Sequence, residues 1–124
     1  MSSQEANRAK PERSRSVIMA FTTEDATETL YECPANCRAR MNLLYFVNAN
    51  GTTTTVDVTW YRAADTTSYY ILGGKNVGAG EFVKFDNAYI VLEAGDKIEF
   101  TPSSNATPQL DAFCTVEETF IPVG

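Results

Sequence analysis

Residues 52–62 read TTTTVDVTWYR. Val56, Val58 and Trp60 fall on one side of this run, and Thr55, Asp57, Thr59 and Tyr61 on the other. A period of two belongs to an extended strand, and β-branched and aromatic residues suit its pleated, half-buried surface. The stretch therefore predicts a strand with one face in a core and one in water.

The same grammar extends outward. NANG (48–51) precedes the run and is a turn signal, because Asn and Gly tolerate positive φ. Before it, RARMNLLYFVNA (38–49) places Met41, Leu43, Tyr45 and Val47 on one face and Leu44 and Phe46 on the other, the pattern of a central strand covered on both sides. The Asn/Gly loop between the two runs predicts an antiparallel hairpin. Further short strands are predicted at 16–22, 27–33, 68–72, 81–85, 88–92, 96–101 and 112–120, with 88–92 and 96–101 as a second hairpin. The segments GGKNVGAG (73–80) and PSSNATP (102–108) read as irregular connections. About eight short strands with turn signals between them predict an all-β fold, a single antiparallel β-sandwich of jelly-roll or immunoglobulin-like type.

A chain of 124 residues with 44% apolar and 21% charged residues is the size and composition of one globular domain. No apolar run is long enough to cross a bilayer as a helix, and the first residues lack the apolar core of a secretory signal. The net charge of −6 is unevenly placed. Residues 1–16 hold Arg8, Lys10, Arg13 and Arg15 against Glu5 and Glu12, and have no hydrophobic period. They are expected to form an extended basic arm, with residues 17–124 as the sandwich. The remainder is strongly acidic, which disfavours nucleic acid as a ligand.

The sequence contains no histidine. Ser-His-Asp and Cys-His catalysis are thereby excluded, as are His-based metal sites. Cys33 and Cys37 flank Pro34-Ala35-Asn36, and Cys114 is the third cysteine. Too few ligands are present for a structural zinc site, and the spacing is not that of a redox pair. The stretch is expected to be a turn carrying reduced, buried thiols. In VLEAGDKIEF (91–100), Gly95 can supply positive φ and Asp96 can accept bonds from nearby backbone amides, again a turn. The carboxylate pairs Glu93 with Glu99 and Glu117 with Glu118 read as solvated faces. No catalytic, cofactor or metal site is expected. The aromatic residues Tyr61, Tyr69 and Tyr70 are candidates for stacking on a sugar or a partner surface, although cross-strand packing explains such residues more often.

The order of these pieces resembles a family. LYECPANCRARMNLLYFVNANGTTTTVDVTWYRA, followed by YYILGGKNVGAGEFVKFDNAYIVLEAGDKIEF, is similar to small β-sandwich structural proteins encoded by tailed bacteriophages, including cyanophages. The matching elements are the proline turn at Leu30 to Ala35, the strand end at Val47 to Gly51, the strand from Thr53 to Trp60, the turn at Val77 to Glu81 and the Leu92 to Ile98 unit. The resemblance covers about two thirds of the chain. It implies a non-enzymatic virion part assembled in the host cytoplasm and present in multiple copies in the tail or neck, with head decoration as the alternative. Its implied partners are other virion proteins and copies of itself, without nucleic acid or membrane. The arm before residue 17 lies outside the resemblance; from its charge alone, Arg8, Lys10, Arg13 and Arg15 would anchor it to a neighbour. A carbohydrate-binding module using Tyr61, Tyr69 and Tyr70 is the rival reading from the residues.

Overall fold

The structure, a computed structural model, describes residues 12–86 and 90–121. They form nine strands and, among the described residues, no helix: β1 (Glu12–Phe21), β2 (Glu28–Glu32), β3 (Cys37–Asn48), β4 (Thr54–Arg62), β5 (Thr67–Val77), β6 (Phe82–Phe85), β7 (Ile90–Glu93), β8 (Lys97–Ser103) and β9 (Leu110–Phe120). Every pairing is antiparallel. The larger sheet runs β1-β9-β3-β6, with β7 also on β3, and the smaller runs β2-β8-β4-β5. Strand β6 pairs with 44–47 of β3 and β7 with 38–41, so the two act as one interrupted strand along a single edge. With that equivalence the molecule is two interleaved four-stranded sheets, the topology of a jelly roll.

The all-β sandwich is the predicted class, but both predicted hairpins are absent. β3 and β4 lie in different sheets, and so do β7 and β8. In this topology the chain mostly crosses between sheets from one strand to the next, so a tight connection does not imply pairing. Among the described residues, β4 and β5 are the only consecutive strands that pair. Strand β5 also runs through Gly73 and Gly74, which were expected to be irregular. The register slips there, Gly74 has φ of +61°, and its N–H donates to Asp57 Oδ1 at 2.6 Å. The smaller sheet thus retains a long strand at a bulged edge.

β3 is central, as its two-sided apolar pattern implies, with β9 on one side and β6 and β7 on the other. A bulge between Met41 and Leu43 resets its faces. Met41 is buried with Leu44 and Phe46, whereas Leu43, Tyr45 and Val47 turn away from the core. Between the sheets, Phe21 stacks on Phe100 with centroids 4.8 Å apart, and Phe46 meets the edge of Phe100 at 5.2 Å. Val56, Val58, Ile98 and Leu92 fill the space around them.

The two turn readings agree with the structure. Asn36 adopts φ of +57° between Cys33 and Cys37, the left-handed conformation that Asn tolerates. Both thiols are free and buried, and Cys33 Sγ donates to the Cys37 and Leu92 carbonyls. Burial, then the neighbouring Cys37, push the Cys33 thiol up to about 12, and burial does the same for Cys114.

At the second turn Gly95 has φ of +86°, and Asp96 Oδ2 accepts from the Glu93 N–H at 3.0 Å. A Cβ at Gly95 would lie 3.0 Å from Ala63 Cβ. Gly95→Ala is therefore expected to cost about 1–2 kcal/mol, from left-handed strain and the close approach. Urea unfolding at unchanged m-value would check it.

Candidate interaction surface

The basic residues of the expected arm divide. Arg8 and Lys10 lie outside the described residues. Arg13 and Arg15 are in β1, which begins at Glu12 and pairs with β9 along its whole length. Alternate residues of β1 face inward: Phe21, Met19 and Val17 pack in or against the core, and Arg15 and Arg13 continue the same face. They meet Glu118, which has no exposed surface. Arg13 Nε donates to Glu118 Oε1 at 2.5 Å, Arg15 Nη1 donates to Oε2 at 3.3 Å, and the Tyr31 hydroxyl of β2 donates to Oε2 at 2.5 Å. The solvated-face reading of Glu118 is thus corrected. Desolvation alone would raise its pKa, but the Tyr31 and Arg13 hydrogen bonds and the two guanidinium charges prevail and hold the carboxyl below its ordinary value. Burial, then the bond to Glu118, push the Tyr31 hydroxyl well above the ordinary phenol range, so it remains a donor. Arg13 and Arg15 therefore fasten the N-terminal strand to its own sandwich.

The three tyrosines do not share a face. Trp60 pairs directly with Tyr69 on β5 and with Ile98 on β8, whose side chain is buried, so Trp60 and Tyr69 face the inner side at the end of the sheet. Tyr61 pairs with Lys97 and lies on the outer side, where the ammonium stands 5.2 Å from its ring centroid. Tyr70, opposite Thr59, shares that outer side. A single row built from Tyr61, Tyr69 and Tyr70 is ruled out by this register.

A different aromatic surface crosses the outer face of the larger sheet. Ile18 on β1 lies opposite Phe113 on β9, which lies opposite Tyr45 on β3. Tyr45 stacks on Phe113 with centroids 4.6 Å apart and on Phe82 of β6 at 5.4 Å. The line spans four strands, roughly 15 Å at the usual strand spacing. Its ends are open to water: Ile18 is 78% and Phe82 58% exposed. Single exposed apolar residues are ordinary, but a contiguous stripe from edge to edge is a candidate contact surface. Sequence reasoning passed over it because its members sit on four different strands. The available signal was the outward set Leu43, Tyr45 and Val47 on a strand otherwise committed to the core. Carboxylates and cations elsewhere on this face are paired or dispersed, as in the Arg38–Glu93 ion pair at 3.1 Å. No group of three or more potential metal ligands occurs among the described residues.

No protein-family profile matches the chain, and no curated protein matches it in sequence. Several solved structures share the fold, and two of them illustrate the likeness. One is a Bacillus endospore appendage protein, described as belonging to a family of disulfide-linked pili, at 16% identity and a TM-score of 0.55, with 91% of each chain covered. The other is a protein of infectious bursal disease virus, Gt strain, at 13% identity and a TM-score of 0.53. There the likeness takes in 89% of this chain and only 33% of the viral one. At such identities the likeness is one of fold.

Proposed function

We propose that the chain is a non-enzymatic structural subunit of a bacteriophage virion, present in multiple copies in the tail or neck. The observation that carries this reading is the Ile18–Phe113–Tyr45–Phe82 stripe, an apolar contact face on a domain whose core is already complete without it. The order of turn and strand motifs that resembles small phage sandwich proteins supports the viral assignment. The shared fold with a pilus protein and a virus protein fits a subunit of a repeating assembly. In this reading the stripe packs against a neighbouring copy or another virion protein. Residues preceding β1, with Arg8 and Lys10, extend the contact onto acidic surface next door.

Copy number tests the proposal. Quantitative mass spectrometry of purified particles should find the protein at on the order of six to a few dozen copies, as ring-like tail and neck symmetries require. Roughly hundreds of copies would move it to head decoration, and absence from the particle would reject the virion reading.

A further inference from the structure

A second surface lies at the open side of the sandwich, and no residue of the stripe lines it. There β7 of the larger sheet passes β4 and β5 of the smaller, leaving a cleft of about 460 Å³ lined by Trp60, Arg62, Tyr69, Val91, Glu93 and Asp96. Trp60 and Tyr69 are direct cross-strand partners on the inner side of the sheet, and both line the cleft. Both are held. The Trp60 Nε1–H donates to Asp96 Oδ2 at 3.2 Å, and the Tyr69 hydroxyl donates to Asp65 Oδ2 at 2.9 Å. Asp96 is itself buried and fixed by the Ala63 and Glu93 amides, both at 3.0 Å. The indole is therefore oriented by a buried acceptor that two backbone amides hold in place.

The rim carries one cation and one anion. Arg62 lies 3.9 Å from Asp65, and Glu93 is paired with Arg38. A charged ligand would be opposed by one rim group or the other. A neutral ring with one apolar face and hydroxyls at its edge would use the aromatic floor, the donor and the acceptor together. We infer that this cleft is a binding site for a neutral pyranose sugar, stacked on Trp60 and Tyr69 with its hydroxyls held by Arg62 and Glu93. It uses residues distinct from the proposed assembly face, so either can fail without the other.

The test is a glycan array carrying neutral, sialylated and sulfated saccharides, followed by titration calorimetry of the best neutral hit. Neutral saccharides should bind. Tyr69→Ala, at a partly exposed side chain, should weaken binding about tenfold while leaving the circular dichroism spectrum unchanged. Trp60→Phe, which keeps a ring but loses the bond to Asp96, should weaken it to a similar extent. A flat array, binding of anionic glycans alone, or undiminished binding by a folded Tyr69→Ala protein would overturn the inference. So would cross-linking that places a neighbouring subunit in the cleft within the particle.

Discussion

Glu118→Ala should lower the unfolding free energy by about 3 kcal/mol, the low end of the range for removing one member of a buried ion pair. The residue sits at a three-way junction. It ties β1 to β9 through Arg13 and Arg15, and β9 to β2 through Tyr31, thereby linking the two sheets. Removing the carboxylate leaves the buried Tyr31 hydroxyl without its acceptor, and an unsatisfied buried donor costs about 1–3 kcal/mol by itself. The two arginines soften the loss, because their side chains are 53% and 40% exposed and can turn to water. Glu118→Gln keeps an acceptor for Tyr31 but not the charge, and should fall between Ala and the native protein. Urea unfolding gives the magnitude. Amide exchange gives the location, with residues 12–16 of β1 losing protection first in the Ala variant.

The same junction sets an acid response. The folded pKa of Glu118 lies below its ordinary value, so its contribution is present in full above the ordinary carboxylate range. It is lost as pH falls from that range through the lower folded value. The stability difference between the native protein and Glu118→Gln should therefore be constant near neutrality and shrink below about pH 4. A difference that persisted undiminished at lower pH would show that the charge contributes nothing.

The strand pattern was readable wherever an inward face was apolar. TTTTVDVTWYR alternates because Val56, Val58 and Trp60 share an inward face while Thr55, Asp57, Thr59 and Tyr61 look outward. The turns were readable because Asn36 and Gly95 occupy positive φ, which few residues tolerate. The arm boundary was not readable. Residues 12–16 look like a basic tail because their inward positions are arginines, and the buried carboxylate that pairs with them is about a hundred residues away. A clue lay in β9 itself: Ala112, Cys114 and Val116 define its inner face, and Glu118 falls on it by period two. Sheet membership was hidden for a different reason. Loops of similar length serve hairpins and sheet-to-sheet crossings alike, so local turn chemistry could not tell them apart. The contact surface was hidden for both reasons, since it depends on the order of four strands and on the bulge that turns Tyr45 outward.

If the stripe is the contact face proposed above, placing a charge on it should weaken association about a hundredfold while leaving the fold intact. Phe82→Asp and Ile18→Asp alter side chains that are more than half exposed in the isolated subunit, so each should unfold near the native midpoint. In the assembly those side chains would be buried. Full burial of a large apolar side chain contributes about 1.5–3 kcal/mol, and a desolvated carboxylate adds a penalty of its own. A loss of about 3 kcal/mol is on the order of a hundredfold in affinity. If the contact is two-fold symmetric, each substitution occurs twice per interface and the effect compounds. Light scattering across a concentration series would measure association, and incorporation into particles would measure assembly. Tyr70→Ala is the control, because it is equally exposed but lies on the outer face of the opposite sheet. It should associate as the native chain does. Equal impairment by Tyr70→Ala and Phe82→Asp would mean that exposed aromatic area in general, rather than this stripe, drives association. Normal association of both Asp variants would remove the stripe as the contact face.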